Sequence, residues 1–565
     1  MNKRIIRRKP LAAPLDDSLV ARLFAARGIT DTKQLELDLD GLLPPDSLKN
    51  LSLAAELLVD HIRSGNRILI VGDFDADGAT SCALMMKGLT ALGAKHVSYL
   101  VPDRFKFGYG LTPEIVEVAA QRSPDLIITV DNGIASVEGV AEANRINIPV
   151  LITDHHLPGN VLPDAAAIVN PNQPGCGFAS KSLAGVGVAF YVLIGLRMLL
   201  RQLGWFESHP EPNLANLLDL VALGTVADLV PMDQNNRRLV AAGLRRIRSS
   251  QCSPGIRSLL QIAGVDNKVA TTRDLGFFVA PRLNAAGRLE DMSIGIECLL
   301  SDDQEAPACA ARLDELNAER KAIESDMRTQ AMQNLESLTI EDNKLAGICI
   351  YDRAWHQGVV GIIASRVKEK TYRPVIAFAR GEEGELKGSG RSIPDFHMRD
   401  ALDLVATRHP HLLSRFGGHA MAAGLSLKEH QLPAFERAFD DVVREQLGEA
   451  QVEQVVETDG ELGEPITLEL AQTLATAAPW GQGFPEPEFD DEFEIVSQRL
   501  LSGQHLKMIL QPNLGPSVDA ICFNQSTTIE GRFVRCAYRV DVNRYRDRES
   551  VQLIVSLIKP RENKL

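Results

Sequence analysis

The chain reads as an α/β protein with three folded regions: a parallel-sheet domain, a second α/β domain reached through a long helix, and a β-rich C-terminal end. Three observations predict this. The aliphatic runs Ile68–Val71, Leu126–Val130 and Val150–Thr153 are apolar along most of their length, as strands covered on both faces of a parallel sheet are. A similar run at Leu345–Tyr351 opens a second unit of the same kind. After residue 448 the pattern changes to short apolar runs bounded by turn residues, which predicts strands without intervening helices.

Taken in order, residues 1–50 form a lead-in whose Leu-rich stretch, Leu35–Leu43, is expected to pack on the main domain. Residues 51–235 alternate strand and helix. Within them Thr112-Pro113-Glu114 predicts a helix start: the hydroxyl accepts a first-turn N–H, and the fixed φ of proline suits that turn. Residues 236–340 read as helical, and Leu313, Leu316, Ala318, Ile323 and Met327 form an apolar stripe on a long connecting helix. That stripe is expected to serve core or interdomain packing. Residues 341–447 make the second α/β unit. The acidic segment Gly448–Asp459 is expected to be a linker into the last region, 448–565, with strands around Phe493–Val496, Leu506–Leu510, Ala520–Phe523 and Gln552–Ser556. The sequence carries no internal repeat and no P-loop.

With 565 residues the chain should form three or four domains, and its 45% hydrophobic and 24% charged content is that of globular proteins. No apolar run reaches the ~20 residues that span a bilayer. The longest, Val186–Leu200, contains Arg197 and predicts a buried helix. The basic start Met1–Lys9 lacks the apolar core and cleavage site of an export signal, and the eight scattered cysteines fit a reducing cytoplasm. A net charge of −14 does not mark a nucleic-acid binder, although distribution matters more than the total. Arg532, Arg535, Tyr538, Arg539, Arg544, Tyr545, Arg546 and Arg548 cluster near the end. Arginines alternating with aromatics could stack bases along a single strand. The same pattern fits a hairpin edge protected by charge, and the segment alone leaves both readings open.

Chemistry concentrates in four acidic stretches: Asp73-Phe-Asp75-Ala-Asp77-Gly, Asp131-Asn-Gly133, Asp154-His155-His156 and Asp228. The first three directly follow the predicted strands, so their carboxylates should converge on the rim where open α/β sheets bind ligands. A single aspartate there would pass as a loop or helix-cap residue. So many together are unfavourable unless a cation neutralises them. Carboxylates with imidazole and no Cys-x-x-Cys pair suit Mg²⁺ or Mn²⁺ rather than structural zinc. The number of ligands suits two ions sharing a carboxylate, an arrangement that cleaves phosphate esters.

These four motifs, in this order, resemble those of the DHH phosphoesterase superfamily. Pro281-Arg282-Leu-Asn284-Ala-Ala-Gly287-Arg288, Gly388-Ser389-Gly390-Arg391-Ser392 and Gly417-Gly418-His419 are similar to accessory segments of its bacterial exonucleases, so the resemblance spans nearly the whole chain. It implies a DHH catalytic domain, a DHHA1-type substrate-binding domain and an OB-like barrel, a choice among small barrels that strand spacing does not make. It also implies that Asp75 and Asp131, helped by Asp73, bind one ion. Asp77, Asp131, His155 and Asp228 would bind the other, with His156 touching the scissile phosphate. Many small DHH phosphatases have a histidine at the position of Val71, and Asp73 is expected to substitute for it.

Further roles follow from the resemblance. Ser389 and Arg391 would hold a 5′-terminal phosphate, with Arg104 as a third contact, although a glycine-rich hairpin turn explains the same residues. Arg282 would meet the nucleotide backbone or, alternatively, form an interdomain salt bridge. Tyr109 would stack a terminal base or anchor its loop, Gly418 and His419 would approach the scissile phosphate, and His356 is expected to be structural. The implied activity is a single-stranded-DNA-specific 5′-to-3′ exonuclease releasing 5′-mononucleotides with two Mn²⁺ or Mg²⁺ ions, in recombination and repair including mismatch repair. Its expected setting is a cytoplasmic monomer that works with a single-strand-binding protein and a helicase. The alternatives are a DHH phosphatase or nano-RNase acting on short oligonucleotides, and a non-catalytic single-strand-binding scaffold.

Overall fold

The aliphatic runs become neighbouring strands in the computed structural model, which describes residues 3–103, 106–107, 109–341, 345–381, 384–448, 454–545 and 548–561. Strands β1 (Arg67–Gly72), β2 (His96–Leu100), β3 (Leu126–Val130), β4 (Val150–Thr153) and β5 (Ala167–Val169) pair in the order β2-β1-β3-β4-β5, all parallel. The crossovers leave β1 in opposite directions, so the carboxyl ends of β1 and β3 flank the switch point where such sheets open a crevice. On one face Val71, Ile127 and Ile152 pack with Ile115, Val116 and Val140.

Around this sheet run α1 (Ala76–Ala91), α2 (Gly185–Gln202) and α3 (Leu218–Ala227). The helix Pro113–Ala120 starts where the sequence predicts, with Thr112 Oγ1 accepting from Ile115 N–H at 3.4 Å. By length and composition α2 could cross a membrane, yet most of it is buried inside the fold. Helices continue through α4 (Ala280–Leu289) to the 36-residue α5 (Ala306–Glu341).

Packing divides the chain into two units: Ile5–Asp314 with Val456–Leu565, and Glu315–Val455 with the extreme N-terminus. The boundary falls inside α5. Leu313, Leu316 and Met327 on that helix are buried, but Ala318 is exposed. Its expected place is taken by the polar residues Asn317 and Glu324, because Arg320 and Arg366 donate to Glu324 at 2.7 and 3.0 Å and satisfy the buried carboxylate.

The second unit holds a mixed sheet of β6 (Ile348–Tyr351), β7 (Val375–Arg380), β8 (Glu385–Arg391), β9 (Arg415–Gly418) and β10 (Ala422–Lys428), ordered β9-β10-β8-β7-β6. Helix α6 (Val360–Thr371) covers one face through Ile363 and Val367, and Phe435 and Phe439 cover the other.

In the first unit, β11 (Phe489–Leu501), β12 (His505–Pro512), β13 (Val518–Cys522), β14 (Phe533–Tyr545) and β15 (Arg548–Pro560) close into a barrel ordered β11-β12-β13-β15-β14. Pairing of β11 with β14 joins what would otherwise be the two edges of the sheet. The barrel core contains Phe489, Phe493, Tyr538 and, from the lead-in, Leu23. Arg27 of the lead-in lies over Trp480 and makes two 3.0 Å bonds to Asp459. The Leu-rich stretch docks elsewhere: Leu43 N–H donates to Asn235 at 3.0 Å and Arg238 donates to the Asp38 carbonyl at 2.7 Å.

Five members of the basic and aromatic cluster of the last strands are engaged by acids of the chain itself. Tyr538 is buried and donates to Asp491 at 2.8 Å, while Arg535 pairs with Asp490, Arg539 with Glu486, Arg532 with Glu494 and Arg544 with Glu549. Asp490, Asp491 and Glu494 belong to β11 and Glu486 closely precedes it, so ring closure brings acid against base. Arg546 lies outside the described residues.

Candidate metal centre

Each acidic motif leaves a strand or helix end and turns inward. Asp75 caps α1, its Oδ1 accepting from the Asp77 and Gly78 N–H groups at 3.0 Å. That geometry aims the first turn of α1, and with it Asp77, into the rim. Both Asp77 oxygens accept from the start of α2, from Gly185 N–H at 2.7 Å and Val186 N–H at 3.0 Å. Asp131 follows β3 with φ +61°, a left-handed conformation that Asp tolerates better than most residues. Asn132 locks the turn by donating to the Val71 and Val130 carbonyls.

The side chains converge. Ligand atoms of Asp73, Asp75 and Asp131 lie within 4.8 Å of one another, as do those of Asp77, His155 and Asp228, and those of Asp131, His155 and His156. His155 Nε2 is 3.2 Å from Asp131 and 3.4 Å from Asp228. Asp154, the first residue of the Asp-His-His triplet, is engaged by hydrogen bonds instead. It accepts from His156 Nδ1 at 2.7 Å and from the Ile134, His155 and His156 N–H groups, so it orients His156.

Electrostatics separate the two kinds of acid. Burial, and then the charge of Asp75, pushes Asp77 up to about 7. Asp228 rises to about 9 through burial and the charges of Asp77 and Asp75, and Asp131 is raised well above the carboxylate range by burial and its acidic neighbours. Burial also disfavours the charged forms of Asp154 and His156, but their mutual hydrogen bond wins. Asp154 lies below its ordinary value and His156 is raised to about 9.

Crowded carboxylates that resist ionisation are what bound cations would relieve, and the oxygen and imidazole donors suit Mn²⁺ or Mg²⁺. The backbone is also cut away around them. A Cβ at Gly185 would lie 2.5 Å from Asp131 Oδ1, and one at Gly224 2.6 Å from Asp77 Oδ1. The residues present fit a pair of divalent cations.

The other expected residues fall into two groups. Tyr109 joins the rim: its ring is half exposed, but its hydroxyl turns inward, 3.3 Å from the Asp131 carbonyl and 3.2 Å from His156 Nδ1. Burial there, with the charges of Asp73 and Asp154, raises its pKa well above the ordinary value. Arg282 on α4 is held by Asp314 and by the Phe278 carbonyl. In the second unit Ser389 and Arg391 project from one face of β8, joined by a 2.9 Å bond. They stand so close to the first turn of α6 that a Cβ at Gly361 would meet Arg391 at 2.7 Å and Ser389 at 3.0 Å. Gly418 and His419 form a tight turn on the neighbouring hairpin, where His419 N–H donates to Ala422 and Gly418 has φ +136°. His356 Nδ1 accepts from Gly358 N–H at 3.1 Å. Arg104 lies outside the described residues.

Sequence reasoning named Asn284 within a motif but missed its role: its side-chain oxygen accepts from Ala76 N–H at 2.9 Å and ties α4 to the first motif. It also missed Asn172, which donates to the His155 carbonyl at 2.6 Å, and the two rim glycines.

Comparison with known proteins places the chain in a family. Family profiles described as the DHH family N-terminal domain, the DHHA1 domain and the RecJ OB domain match residues 67–225, 343–445 and 458–556. The single-stranded-DNA-specific exonuclease RecJ of Salmonella typhimurium is 52% identical over 552 residues, covering 96% of both chains. The chain belongs to the RecJ family. A crystal structure of RecJ from Thermus thermophilus in complex with Mn²⁺ superposes with a TM-score of 0.79 at 32% identity, covering 96% of this chain and 76% of that one. The Mg²⁺ complex of RecJ from the same organism gives 0.75 at 29% identity, covering 99% and 78%. Membership of the RecJ family accounts for the DHH, DHHA1 and OB architecture together, and RecJ structures with either ion agree with the donor chemistry of the rim.

Proposed function

We propose that the chain degrades single-stranded DNA from its 5′ end, releasing 5′-mononucleotides by hydrolysis of successive phosphodiesters with two Mn²⁺ or Mg²⁺ ions. The observation that carries this reading is the convergence of the rim: two of its ligand groups share Asp131, and burial among other acids disfavours the charged forms of Asp77, Asp131 and Asp228. Asp73, Asp75 and Asp131 would hold one ion, and Asp77, Asp131, His155 and Asp228 the other. Such a pair, when bound, supplies a deprotonated water and neutralises charge on the phosphoryl oxygens.

The chain's own residues bind and orient. Asp154 holds His156 in its proton-bearing form, so His156 would donate to a phosphoryl oxygen. Tyr109 would steady His156 through its hydroxyl and offer its exposed ring to a base. Ser389 and Arg391, facing the N–H groups at the start of α6, would seat the 5′ phosphate, helped by Arg104. Arg282, Gly418 and His419 would meet the strand's backbone. The closed barrel would add single-strand affinity. In the cell the chain would act in cytoplasmic recombination and repair, including mismatch repair, as a monomer working with a single-strand-binding protein and a helicase.

The test uses 5′-labelled and 3′-labelled single strands of roughly 60 nucleotides, longer than one OB-sized site. Each is incubated with Mn²⁺ or Mg²⁺ beside an Asp131→Ala control and a duplex competitor. Immediate mononucleotide release from the 5′ label, absent in the control, is the expected result. Release from the 3′ end would overturn the polarity, and binding without cleavage would overturn the enzyme reading.

A further inference from the structure

The segment Leu275–Val279 (Leu-Gly-Phe-Phe-Val) leaves two consecutive large aromatics in solvent, Phe277 at 70% and Phe278 at 40% exposure. Two exposed phenylalanines side by side are costly in water unless something covers them. The local backbone explains how they are displayed. The segment is π-helical, and such wide turns are frequent at functional sites. Leu275 and Val279 are buried, and Gly276 lies against α3, where a Cβ would be in ordinary contact with Val226 at 3.4 Å. With those residues facing inward, Phe277 and Phe278 face outward.

Position gives the patch its meaning. Val226 stands two residues before Asp228 on the metal rim, and Leu229, next to Asp228, is itself 70% exposed. After the π-turn, the Phe278 carbonyl accepts from Arg282 at 2.6 Å. Before it, Arg273 bonds Asp541 of β14 at 2.8 Å. The turn therefore packs on α3, which leads to Asp228, and is tied to the barrel through Arg273, all within one unit.

Resting on the exonuclease reading above, we infer that Phe277 and Phe278 form a stacking platform for the bases of single-stranded DNA on the 3′ side of the scissile phosphate, between barrel and metal centre. Every base has a π face, so such a platform accepts any sequence and lets the strand advance one nucleotide at a time. Many arginines of the barrel are paired with acids, and this turn adds an exposed aromatic surface to that of the Tyr109 ring. Phe277 and Phe278 are positioning residues that act on the strand and leave the reacting atoms to the rim.

The test pairs cleavage with fluorescence in the full chain. Stacking energies of this kind correspond to roughly a 10-fold rise in KM for a long single strand in the Phe277→Ala/Phe278→Ala variant, with the smaller part of the loss in kcat. Phe277→Trp and Phe278→Tyr should restore KM, and Phe277→Leu/Phe278→Leu should not. In the Asp131→Ala chain, a single strand carrying 2-aminopurine a few nucleotides from its 5′ end should be quenched on binding, and the double alanine change should remove that quenching. An unchanged KM, rescue by leucine equal to rescue by aromatics, or quenching that survives without the phenylalanines would overturn the platform. Failure of the unaltered chain to cleave would instead sink the exonuclease reading, while the fluorescence would still report on stacking.

Discussion

Two buried aspartates, Asp131 on the metal rim and Asp490 in the barrel, meet opposite fates. Asp490 accepts from Arg7, Arg535 and Thr458, and these bonds outweigh its burial and hold its pKa below the ordinary value. Asp131 is surrounded by Asp77, Asp75, Asp228 and Asp73, which add to burial and push its pKa up. The barrel has neutralised its acid with its own arginines. The rim has not. A site left electrostatically unfinished in a fold that elsewhere completes its ion pairs marks where an external cation belongs.

The strongest way to break this comparison is to exchange the consequences. Asp131→Ala should abolish nucleotide release, a loss of at least about 10³-fold where both ions depend on one ligand. Melting of the chelated protein should stay level or rise, because a repelling charge is removed. Asp490→Ala should instead leave Arg7 and Arg535 beside an empty partner and cost roughly 3–5 kcal/mol, read by chemical denaturation. A lower melting temperature for Asp131→Ala under chelation would contradict the account.

Metal should rescue the rim alone. Mn²⁺ at about 100 times its Kd should stabilise the unaltered chain by roughly 2.7 kcal/mol, read as a higher melting temperature that Asp131→Ala lacks and Asp490→Ala keeps.

The pH dependence should carry opposite signs. Asp77 at about 7 and Asp228 at about 9 have folded values above the unfolded one. Their contribution is present below about pH 4 and is lost as pH rises through 7 and 9, so the chelated rim should weaken toward alkaline pH. Asp490 is depressed, so its contribution is present above about pH 4 and is lost as pH falls through its folded value. Melting curves of the chelated protein across pH should show both limbs, and Mn²⁺ should flatten only the alkaline one. The smallest effect is expected from Arg535→Leu, which leaves Arg7 and Thr458 on Asp490 and should cost no more than about 1 kcal/mol.

The same contrast explains what could be read in the sequence. Ile68–Val71, Leu126–Val130 and Val150–Thr153 announce buried strands because burial on both faces leaves a continuous apolar run, and the acids that follow announce the rim. Thr112-Pro113 marks its helix locally. What escaped notice depends on partners far along the chain. Nothing near Asn284 signals that it will hold Ala76, 208 residues earlier. Nothing near Gly185 says that it must leave room for Asp131. Tyr538 and its flanking arginines look like a nucleic-acid stripe in one dimension. Only closure of the barrel against β11 reveals that their acidic partners were already in the chain.

Arg27 and Asp459 are 432 positions apart, and Arg7 and Asp490 are 483. On a ribosome adding about 5–20 residues per second, the first member of each pair waits roughly 20–100 s for the second. During that interval Leu23 has no barrel to enter. The lead-in is thus made well before the segments that seal it, so its docking has to follow synthesis of the barrel.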